Sequence, residues 1–249
     1  MAFIYAISDI HGHLDILKET IKRMDLETKE NKLILCGDYI DRGDKSCETL
    51  YFIKELCEQK PKQVIALRGN HEEMFLEQFQ EEYPIRDNFM ELKEYVTEEE
   101  LEDLRAPYVK KMSNEGKGLK YLVAFLRELT RYVELKHQDL IMWMKTLPYY
   151  HETETQIFVH AGIDEEAGEQ WKYATESFYI VWKFPATTGK FYKDIIAGHV
   201  GTYRITGDED YHDTYWDGES HYYIDGTVVV SKHIPILRYD TKMKKYTEV

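Results

Sequence analysis

The first part of the chain alternates short apolar runs with segments of helical periodicity, and this alternation constrains the fold more than any other feature. The apolar runs at Ala2–Ser8, Lys32–Cys36 and Val64–Leu67 have the length and residue types of β-strands. Between them, apolar residues recur at the spacing of amphipathic helices: Leu14, Leu17, Ile21 and Met24, then Leu50, Ile53 and Cys57. This βαβαβ order predicts right-handed crossovers and a buried, locally parallel sheet.

The middle and the end of the chain carry different patterns. From about residue 83 to residue 147 the periodicity is helical throughout, and Thr97-Glu98-Glu99-Glu100 has the capping-box sequence that begins a helix. Strand signals return after Pro148, with a turn at Asp225-Gly226. The predicted strands are Gln156–Val159, Asp194–Ala197, Tyr222–Ile224, Val228–Ser231 and Ile236–Tyr239. Their short spacing predicts a second, more antiparallel sheet.

These patterns together predict the fold class. We expect an α/β fold in which two mixed β-sheets pack into a β-sandwich core flanked by helices, with a helical cap insertion at about residues 83–147. Neither an internal repeat nor a low-complexity linker divides the sequence. We therefore predict a single domain over residues 1–249.

The formal net charge of −14 limits the partners that the chain can bind. Binding to nucleic acid depends on Lys and Arg, so we expect no nucleic-acid partner. The sequence has no run approaching the about 20 apolar residues of a membrane helix, so we expect no membrane partner. The N-terminal stretch reaches Asp9 without a basic segment, which argues against a signal peptide. Three cysteines without a CxxC pair suit a reducing compartment, and we predict a cytoplasmic protein.

Five short polar motifs each follow a predicted strand. They are Asp9-Ile10-His11-Gly12-His13, Gly37-Asp38-Tyr39-Ile40-Asp41-Arg42-Gly43, Arg68-Gly69-Asn70-His71-Glu72, His160-Ala161-Gly162 and Gly198-His199. Because functional sites of α/β sheets form beyond the carboxyl ends of the strands, we expect all five motifs at one edge of the structure. The neighbouring glycines permit tight turns and close backbone approach at that edge.

The motifs supply metal ligands made of oxygen and imidazole nitrogen, with no thiolate. The candidate ligands are Asp9, His11, Asp38, Asn70, His160 and His199. Such a set suits Mn, Fe, Zn or Co and holds too much nitrogen for a dedicated Mg or Ca site. With a bridging carboxylate the set can serve two ions about 3.5–4 Å apart. We expect two divalent metal ions as the cofactor, with Mn favoured and Fe or Zn as alternatives.

The five motifs resemble those of the calcineurin-like metallophosphoesterase superfamily, in particular its PPP-type serine/threonine protein phosphatases of the short bacterial and phage kind. The order D-x-H-G, G-D-x-x-D-R-G, G-N-H-E, H-x-G and G-H spans most of the chain, from Asp9 to His199. The resemblance implies that Asp9 and His11 bind the first metal ion and that Asp38 bridges both ions. It assigns the second ion to three residues: Asn70, His160 and His199.

The resemblance also implies a mechanism, the in-line attack of a metal-bridging hydroxide on phosphorus. His71 is then the general acid that protonates the leaving alkoxide, and Asp41 orients His71. Arg42 and Arg68 are assigned to the oxygens of the substrate phosphate. Glu72 begins a predicted helix, where a carboxylate suits the helix dipole, and we interpret it as structural.

The sequence departs from the family pattern at one point. A phosphate-binding Arg is expected shortly after a Trp between the two late histidines, but here Trp182 is followed by Lys183-Phe184-Pro185. Lys183 is the candidate substitute for phosphate binding, as a point charge without the planar fork of Arg.

Three hypotheses for the function follow. The leading one is a metal-dependent phosphatase acting on phosphoserine or phosphothreonine. The alternative is a hydrolase that cleaves diadenosine tetraphosphate symmetrically. In those hydrolases Ala typically stands at the position of Asp41, so the resemblance favours the phosphatase. The third is an inactive metal-binding scaffold, which predicts degenerate ligands, whereas all six are present. The expected partner is a phosphorylated protein or a small phosphoester or nucleotide substrate.

Tyrosines cluster late in the chain and form a separate feature. The cluster comprises Tyr149, Tyr150, Tyr211, Tyr215, Tyr222 and Tyr223. Half-buried strand positions account for most of these residues. A role in gripping an aromatic or nucleoside substrate is a further hypothesis.

Overall fold

The structure is a computed structural model that describes residues 2–80, 89–114 and 118–249. It divides into two compact units. The sheet unit comprises Met1–Glu72 and Leu147–Val249, and the helical unit comprises Glu73–Thr146. Parts of the predicted cap, residues 83–88 and 115–117, lie outside the described residues. The single-domain assignment stays a prediction.

The described residues contain ten strands. In chain order they are β1 (Phe3–Ile7), β2 (Lys32–Leu35), β3 (Val64–Ala66), β4 (Tyr150–Glu152), β5 (Gln156–Val159), β6 (Asp194–Ala197), β7 (Tyr215–Trp216), β8 (His221–Tyr223), β9 (Leu237–Asp240) and β10 (Lys245–Glu248). They form two five-stranded sheets, ordered β10-β9-β1-β2-β3 and β4-β5-β6-β8-β7. The predicted class, two mixed sheets flanked by helices, is confirmed.

Helices connect the strands of the sheet unit. They are α1 (Leu14–Lys22), α2 (Ser46–Gln59), α3 (Asn70–Glu77), α8 (Trp171–Ala174), α9 (Ser177–Trp182), α10 (Thr202–Thr206) and α11 (Val228–Ser231). Helix α3 continues past Glu72, the last residue of this part of the sheet unit. Helices α4 to α7 belong to the helical unit and are described below. A 3₁₀ helix spans Glu165–Gln170. Strands β1, β2 and β3 are parallel and are joined through α1 and α2, so the predicted βαβαβ order is confirmed.

The second half of the chain differs from the prediction in one element, in the sheet to which one strand belongs, and in the direction of strand pairing. Val228–Ser231 forms the short helix α11 rather than a strand, because Thr227 and Lys232 take left-handed backbone conformations on either side of it. The predicted strand at Ile236–Tyr239 corresponds to β9, which pairs antiparallel with β1 in the first sheet. The second sheet is also less antiparallel than expected, because its central strands β5, β6 and β8 are parallel and only β4 and β7 are antiparallel.

The core of the sheet unit lies between the two sheets. Buried side chains from both sheets form one cluster, with Ala6 and Ile34 from the first sheet against Phe158 and Ile196 from the second. Each large apolar side chain that is fully buried stabilises the fold by about 1.5–3 kcal/mol. This packing fixes the two sheets face to face and gives the loops at their edge a rigid base.

The helical unit contains α4 (Phe89–Leu92), α5 (Glu98–Asn114), α6 (Gly118–Lys136) and α7 (Gln138–Lys145), with a 3₁₀ helix at Lys93–Tyr95. The capping box predicted before α5 is confirmed. The N–H of Thr97 donates to Glu100 Oε2 at 2.7 Å, and the N–H of Glu100 donates to Thr97 Oγ1 at 3.2 Å. No helix within the described ranges is long and apolar enough to cross a membrane.

Candidate metal centre

The five motifs lie beyond the carboxyl ends of β1, β2, β3, β5 and β6, as the sequence predicts. Backbone hydrogen bonds join their loops. The N–H of Ile10 donates to the carbonyl of Asp38 at 2.7 Å, and the N–H of Gly198 donates to the carbonyl of His160 at 2.8 Å. The motifs therefore meet at one edge of the sheet unit.

The backbone at this edge is strained. Six predicted site residues have φ between 47° and 68°, in the left-handed region: Asp9, His11, Asp38, Asp41, Arg42 and His199. A residue with a side chain in this region costs on the order of 1–3 kcal/mol and persists only where its surroundings hold it. Strain concentrated on the motif residues indicates that the fold holds these side chains for a function.

Two glycines let the motif loops approach the carboxylates. A Cβ added to Gly198 would lie 2.2 Å from Asp9 Oδ2, and one added to Gly69 would lie 2.2 Å from Asp38 Oδ1. These separations are far shorter than any contact between nonbonded atoms. Only glycine is compatible with this geometry, which explains the residue type at both positions.

Asp9, His11 and Asp38 form the first group of candidate ligands, and each is at most 3% exposed. The Nε2 atom of His11 lies 4.0 Å from Asp9 Oδ1 and 3.8 Å from Asp38 Oδ2. His71 Nε2 lies 3.9 Å from the same Asp38 oxygen. Ligand atoms about 2.0–2.2 Å from one ion are spaced in this range.

The other oxygen of Asp38 faces the second group. Asp38 Oδ1 lies 3.3 Å from His160 Nε2. Asn70 Oδ1 lies 2.8 Å from His160 Nε2 and 3.0 Å from His199 Nδ1. Asp38 thus presents one carboxylate oxygen to each group, as a residue bridging two ions must.

Hydrogen bonds outside the centre orient two of the imidazoles. The Nδ1 atom of His11 lies 2.9 Å from the carbonyl of Ile40, and Nδ1 of His160 lies 2.8 Å from the carbonyl of Cys36. A carbonyl accepts from a protonated nitrogen, so in both rings Nδ1 carries the proton and Nε2 is the nitrogen directed at the centre. Metal-binding histidines are held in this way by their other ring nitrogen.

The buried polar atoms of the centre fit a cation. His11 Nε2 is buried and has no hydrogen-bond partner among the residues that the structure describes. Burial lowers the pKa of His11 to about 3, so this imidazole is neutral, as a metal ligand must be. Burial raises the pKa of Asp9 well above its usual range, and the neighbouring carboxylate of Asp225 adds to the increase. A divalent ion would satisfy the orphaned nitrogen and compensate these acidic groups.

The protonation of His160 leads to the same conclusion. Burial lowers the pKa of His160, but the carboxylates of Asp38 and Asp9 outweigh burial and raise this pKa to about 10. The environment of His160 therefore attracts positive charge. A bound divalent ion would supply that charge in place of the proton.

His71 and Asp41 form a pair beside the candidate ligands. The Nδ1 atom of His71 lies 2.5 Å from Asp41 Oδ2. Burial lowers the pKa of His71, but the hydrogen bond to Asp41 and the charge of Asp38 outweigh it and raise this pKa. Arg42 Nη2 lies 3.2 Å from His71 Nε2, so the guanidinium reaches the same part of the centre. The arrangement brings the predicted general acid and the predicted phosphate-binding Arg together.

Lys183 packs against Gly162 of the fourth motif, and its ammonium group is held by protein acceptors. Lys183 is 5% exposed, and its Nζ donates to the Ile163 carbonyl at 2.8 Å, to Glu165 Oε1 at 2.6 Å and to Thr187 Oγ1 at 2.9 Å. All three ammonium hydrogens have protein acceptors, and Glu165 neutralises the charge. In this arrangement the ammonium group is occupied by protein acceptors, and the assignment of Lys183 to substrate phosphate stays a prediction.

Arg68 is oriented by an aromatic side chain. Its Nη1 donates to the hydroxyl of Tyr149 at 3.1 Å, and its guanidinium carbon lies 4.9 Å from the centre of the Tyr149 ring. Its assignment to substrate phosphate stays a prediction.

Glu72 has a larger role at the centre than the sequence indicates. It is fully buried, and its carboxylate accepts hydrogen bonds from the backbone N–H groups of Asp38, Tyr39 and Gly69 at 2.7–2.9 Å. Burial and the charge of Asp38 raise the pKa of Glu72 to about 7. Glu72 therefore ties the second and third motif loops together, a long-range role with no local signal in the sequence.

Asp225 is a second buried carboxylate that the sequence analysis did not assign to the centre. It is 6% exposed, follows β8, and accepts a hydrogen bond from the N–H of Thr227 at 2.7 Å. Burial, together with the charge of Asp38, raises the pKa of Asp225. The signal that could have identified it is its position directly after a predicted strand, which it shares with Asp9.

The comparison with protein families agrees with the fold and the site geometry. The model of the calcineurin-like phosphoesterase family matches residues 4–224 of this chain. Two five-stranded sheets with five loops of candidate metal ligands at one edge agree with the architecture of a metallophosphoesterase. The chain belongs to the calcineurin-like phosphoesterase family.

Individual relatives carry different activities in their names. The symmetrical bis(5'-nucleosyl)-tetraphosphatase of Vibrio parahaemolyticus is 38% identical over 68 residues, which are 27% of this chain and 24% of that protein. The serine/threonine-protein phosphatase rdgC of Drosophila melanogaster is 31% identical over 83 residues, 30% of this chain and 13% of that protein. These matches span about a quarter of the relatives' length or less, so they do not settle the substrate.

A solved structure confirms the fold over the whole chain. The crystal structure of a putative diadenosine tetraphosphatase has a TM-score of 0.56 to this protein and covers 99% of this chain and 92% of its own. Its sequence identity is 14%, so the likeness concerns the fold alone.

Proposed function

We propose that this protein is a metal-dependent phosphomonoesterase that acts on phosphoserine or phosphothreonine in proteins. The observation that carries the proposal is the pair formed by His71 and Asp41, 2.5 Å apart beside the two groups of candidate metal ligands. With Asp41 on Nδ1, His71 can hold a proton on Nε2 and donate it to a leaving group. A serine or threonine alkoxide needs this proton because it is a strong base. A nucleotide phosphate needs it less, because its pKa is about 6.

In this proposal the metal ions activate the water nucleophile and bind the substrate phosphate. Two divalent ions held by Asp9, His11, Asp38 and the second ligand group would lower the pKa of a water nucleophile and bind the phosphate dianion. Side chains would carry out the remaining steps, phosphate binding and protonation of the leaving group. Arg42 would bind phosphate oxygens through its planar guanidinium, and His71 would protonate the departing oxygen.

Symmetrical hydrolysis of dinucleoside tetraphosphates is the second candidate function. The similarity to the bis(5'-nucleosyl)-tetraphosphatase of Vibrio parahaemolyticus favours it. The side chains of Asp41 and His71 favour the phosphatase instead, since the pair serves an alkoxide leaving group better than a phosphate. A small phosphoester or nucleotide is therefore the alternative substrate class.

The test compares the two substrates on one preparation. The protein is stripped of metal and reconstituted with Mn, and kcat/KM is measured for a phosphothreonine peptide and for diadenosine tetraphosphate. We expect the peptide to be the better substrate. A clear preference for the dinucleotide would move the assignment to nucleotides. Asp38→Asn is expected to lose bound metal and activity together, and a fully active Asp38→Asn enzyme would refute the metal site.

A further inference from the structure

A cavity of about 530 Å³ lies apart from the metal centre, and its volume is within the about 300–1,000 Å³ usual for small-molecule sites. Its walls come from both sheets of the sheet unit, since Asp194, Trp216 and Tyr222 belong to the second sheet and Lys245 and Tyr246 to the first. Asp194 is the first residue of β6, whereas the metal-centre loop follows the last residue of that strand. At a rise of about 3.3 Å per residue, the two ends of β6 are about 10 Å apart.

Aromatic rings form one wall of this cavity. The rings of Trp216 and Tyr222 are nearly parallel, at an angle of 10° with centroids 6.0 Å apart. The rings of Tyr222 and Tyr246 lie 4.1 Å apart. Trp216 is 53% exposed although it belongs to this stack. An exposed indole at the end of an ordered stack offers a flat surface to another planar ring.

The rim of the cavity is cationic in an acidic protein. Lys244 and Lys245 both line it, and both are exposed. Neither ammonium group has an ion-pair or hydrogen-bond partner within the part of the chain that the structure describes. The formal net charge of the chain is −14, and this rim carries two adjacent lysines without acidic partners among the described residues. Such a pair suits an anionic group such as a phosphate.

Asp194 adds a hydrogen-bond acceptor to the cavity. Its Oδ2 accepts from the hydroxyl of Tyr246 at 2.7 Å, and Tyr246 is held in turn by Gln156 Nε2 at 2.9 Å. No side-chain donor among the described residues reaches the other oxygen, Oδ1. A carboxylate oxygen in this position can accept from N–H groups at the edge of a heterocycle.

We infer that this cavity binds a nucleotide, with the base stacked on Trp216, the N–H edge of the base on Asp194 and the phosphate on Lys244 and Lys245. The inference goes beyond the proposed function and does not rest on it, because no residue of the cavity belongs to the metal centre. In this inference Tyr222, one of the late tyrosines, supports Trp216 by stacking against its ring. Bases with amino groups fit Asp194 best, so guanine and adenine nucleotides are favoured over uridine nucleotides.

The test is a binding measurement on the metal-stripped protein in excess chelator, which removes the metal ions that would bind phosphate at the other site. GMP, AMP, UMP and ribose 5-phosphate are titrated by calorimetry. We expect one saturable site for GMP and AMP, weaker binding of UMP, and no saturation by ribose 5-phosphate. Trp216→Leu, and the double variant Lys244→Glu with Lys245→Glu, are each expected to weaken binding by about tenfold or more, because each removes one of the two interactions, stacking or charge, that hold the nucleotide.

Matched controls separate the cavity from the general surface. Lys242→Glu reverses one charge in the same turn, and Tyr173→Leu removes an exposed ring elsewhere. Neither residue lines the cavity, and neither variant should alter binding. All altered side chains are exposed, and circular dichroism checks that each variant folds. The inference is overturned if no nucleotide saturates a site, if the cavity variants bind like the controls, or if ribose 5-phosphate binds as well as GMP.

Discussion

The Nδ1 atom of His71 lies 2.5 Å from Oδ2 of Asp41, and this contact fixes the direction of a ring that also reaches Asp38 and Arg42. Asp41 holds a left-handed backbone with φ of 68°, which the fold maintains at a cost. The fold therefore holds this pair in place. Its proposed role in proton donation can be tested with substrates whose leaving groups differ in basicity.

Replacing Asp41 is expected to affect substrates according to how much proton donation they need. In Asp41→Asn, His71 loses the carboxylate that stabilises its protonated form, so kcat should fall by about 10²–10⁴-fold for an alkyl phosphate such as phosphothreonine. The loss for p-nitrophenyl phosphate should be much smaller, because its leaving group is a weak base. The measurement is kcat for both substrates with equal metal loading. Equal losses on both substrates would count against a role in proton donation.

Glu72→Gln should destabilise the protein and weaken metal binding. The carboxylate accepts three backbone N–H groups, whereas the amide has one acceptor oxygen, and each buried donor left unpaired costs about 1–3 kcal/mol. The midpoint of urea unfolding and the affinity for Mn are measured together. Glu77→Gln, later in the same helix α3, is the control and should change neither quantity. A Glu72→Gln protein as stable as the control would show that these hydrogen bonds contribute little.

Gly198→Ala should displace the candidate ligand Asp9 without touching His71 and Asp41. The new methyl group would lie 2.2 Å from Asp9 Oδ2, so the Asp9 carboxylate has to move. We expect a large decrease in bound metal, measured by elemental analysis after reconstitution. Gly162→Ala provides the comparison, since its methyl group would meet the flexible chain of Lys183 at 2.3 Å instead of a ligand. Similar metal contents in the two variants would contradict this account.

Lys183→Met separates a structural role from phosphate binding. The variant removes the three hydrogen bonds of the Lys183 ammonium group and leaves the buried carboxylate of Glu165 with fewer partners. We expect a loss of about 1–3 kcal/mol in the free energy of unfolding, with KM for the substrate unchanged within about twofold. Lys190→Met is the exposed control. A large increase in KM in Lys183→Met would support the sequence-based assignment to phosphate.

The stability contributed by His221 should depend on pH. His221 is 1% exposed and lies 2.9 Å from both Glu165 Oε2 and Asp217 Oδ2. Burial lowers the pKa of His221, but the hydrogen bond and charge of Glu165, followed by those of Asp217, outweigh burial and raise it above the ordinary value. The folded state therefore binds this proton more tightly than the unfolded state, and the stabilisation is complete below the unfolded pKa of about 6.5.

That stabilisation is lost as pH rises through the raised pKa of the folded state. The free energy of unfolding of the native protein minus that of His221→Gln should therefore be larger at about pH 6 than at about pH 9. Urea titrations at both pH values give this difference. His233→Gln, at a more exposed position, supplies the reference. A difference that stays constant between the two pH values would show that the protonation of His221 does not contribute.

The local elements of the fold were predictable where one periodicity dominates. Apolar runs at β1, β2 and β3 and the helical spacing between them gave the parallel βαβαβ order, and the capping box at Thr97 and Glu100 marked the start of α5. Strand pairing was less predictable. Strand β9 pairs with β1 across the length of the chain, and the Val-rich turn α11 is helical, because neighbouring left-handed residues and distant partners outweigh β-propensity.

The sequence by itself determined the chemistry available at the metal centre, because the residue types and their positions after strands restrict the ligands to carboxylate, amide and imidazole groups. Only the tertiary structure decided which charges meet. Lys183 is neutralised by Glu165, Glu72 joins two motif loops, and Asp225 approaches Asp9. These contacts join residues far apart in the chain. Their partners are chosen by how the two sheets pack, a property of the whole core that no local stretch of sequence encodes.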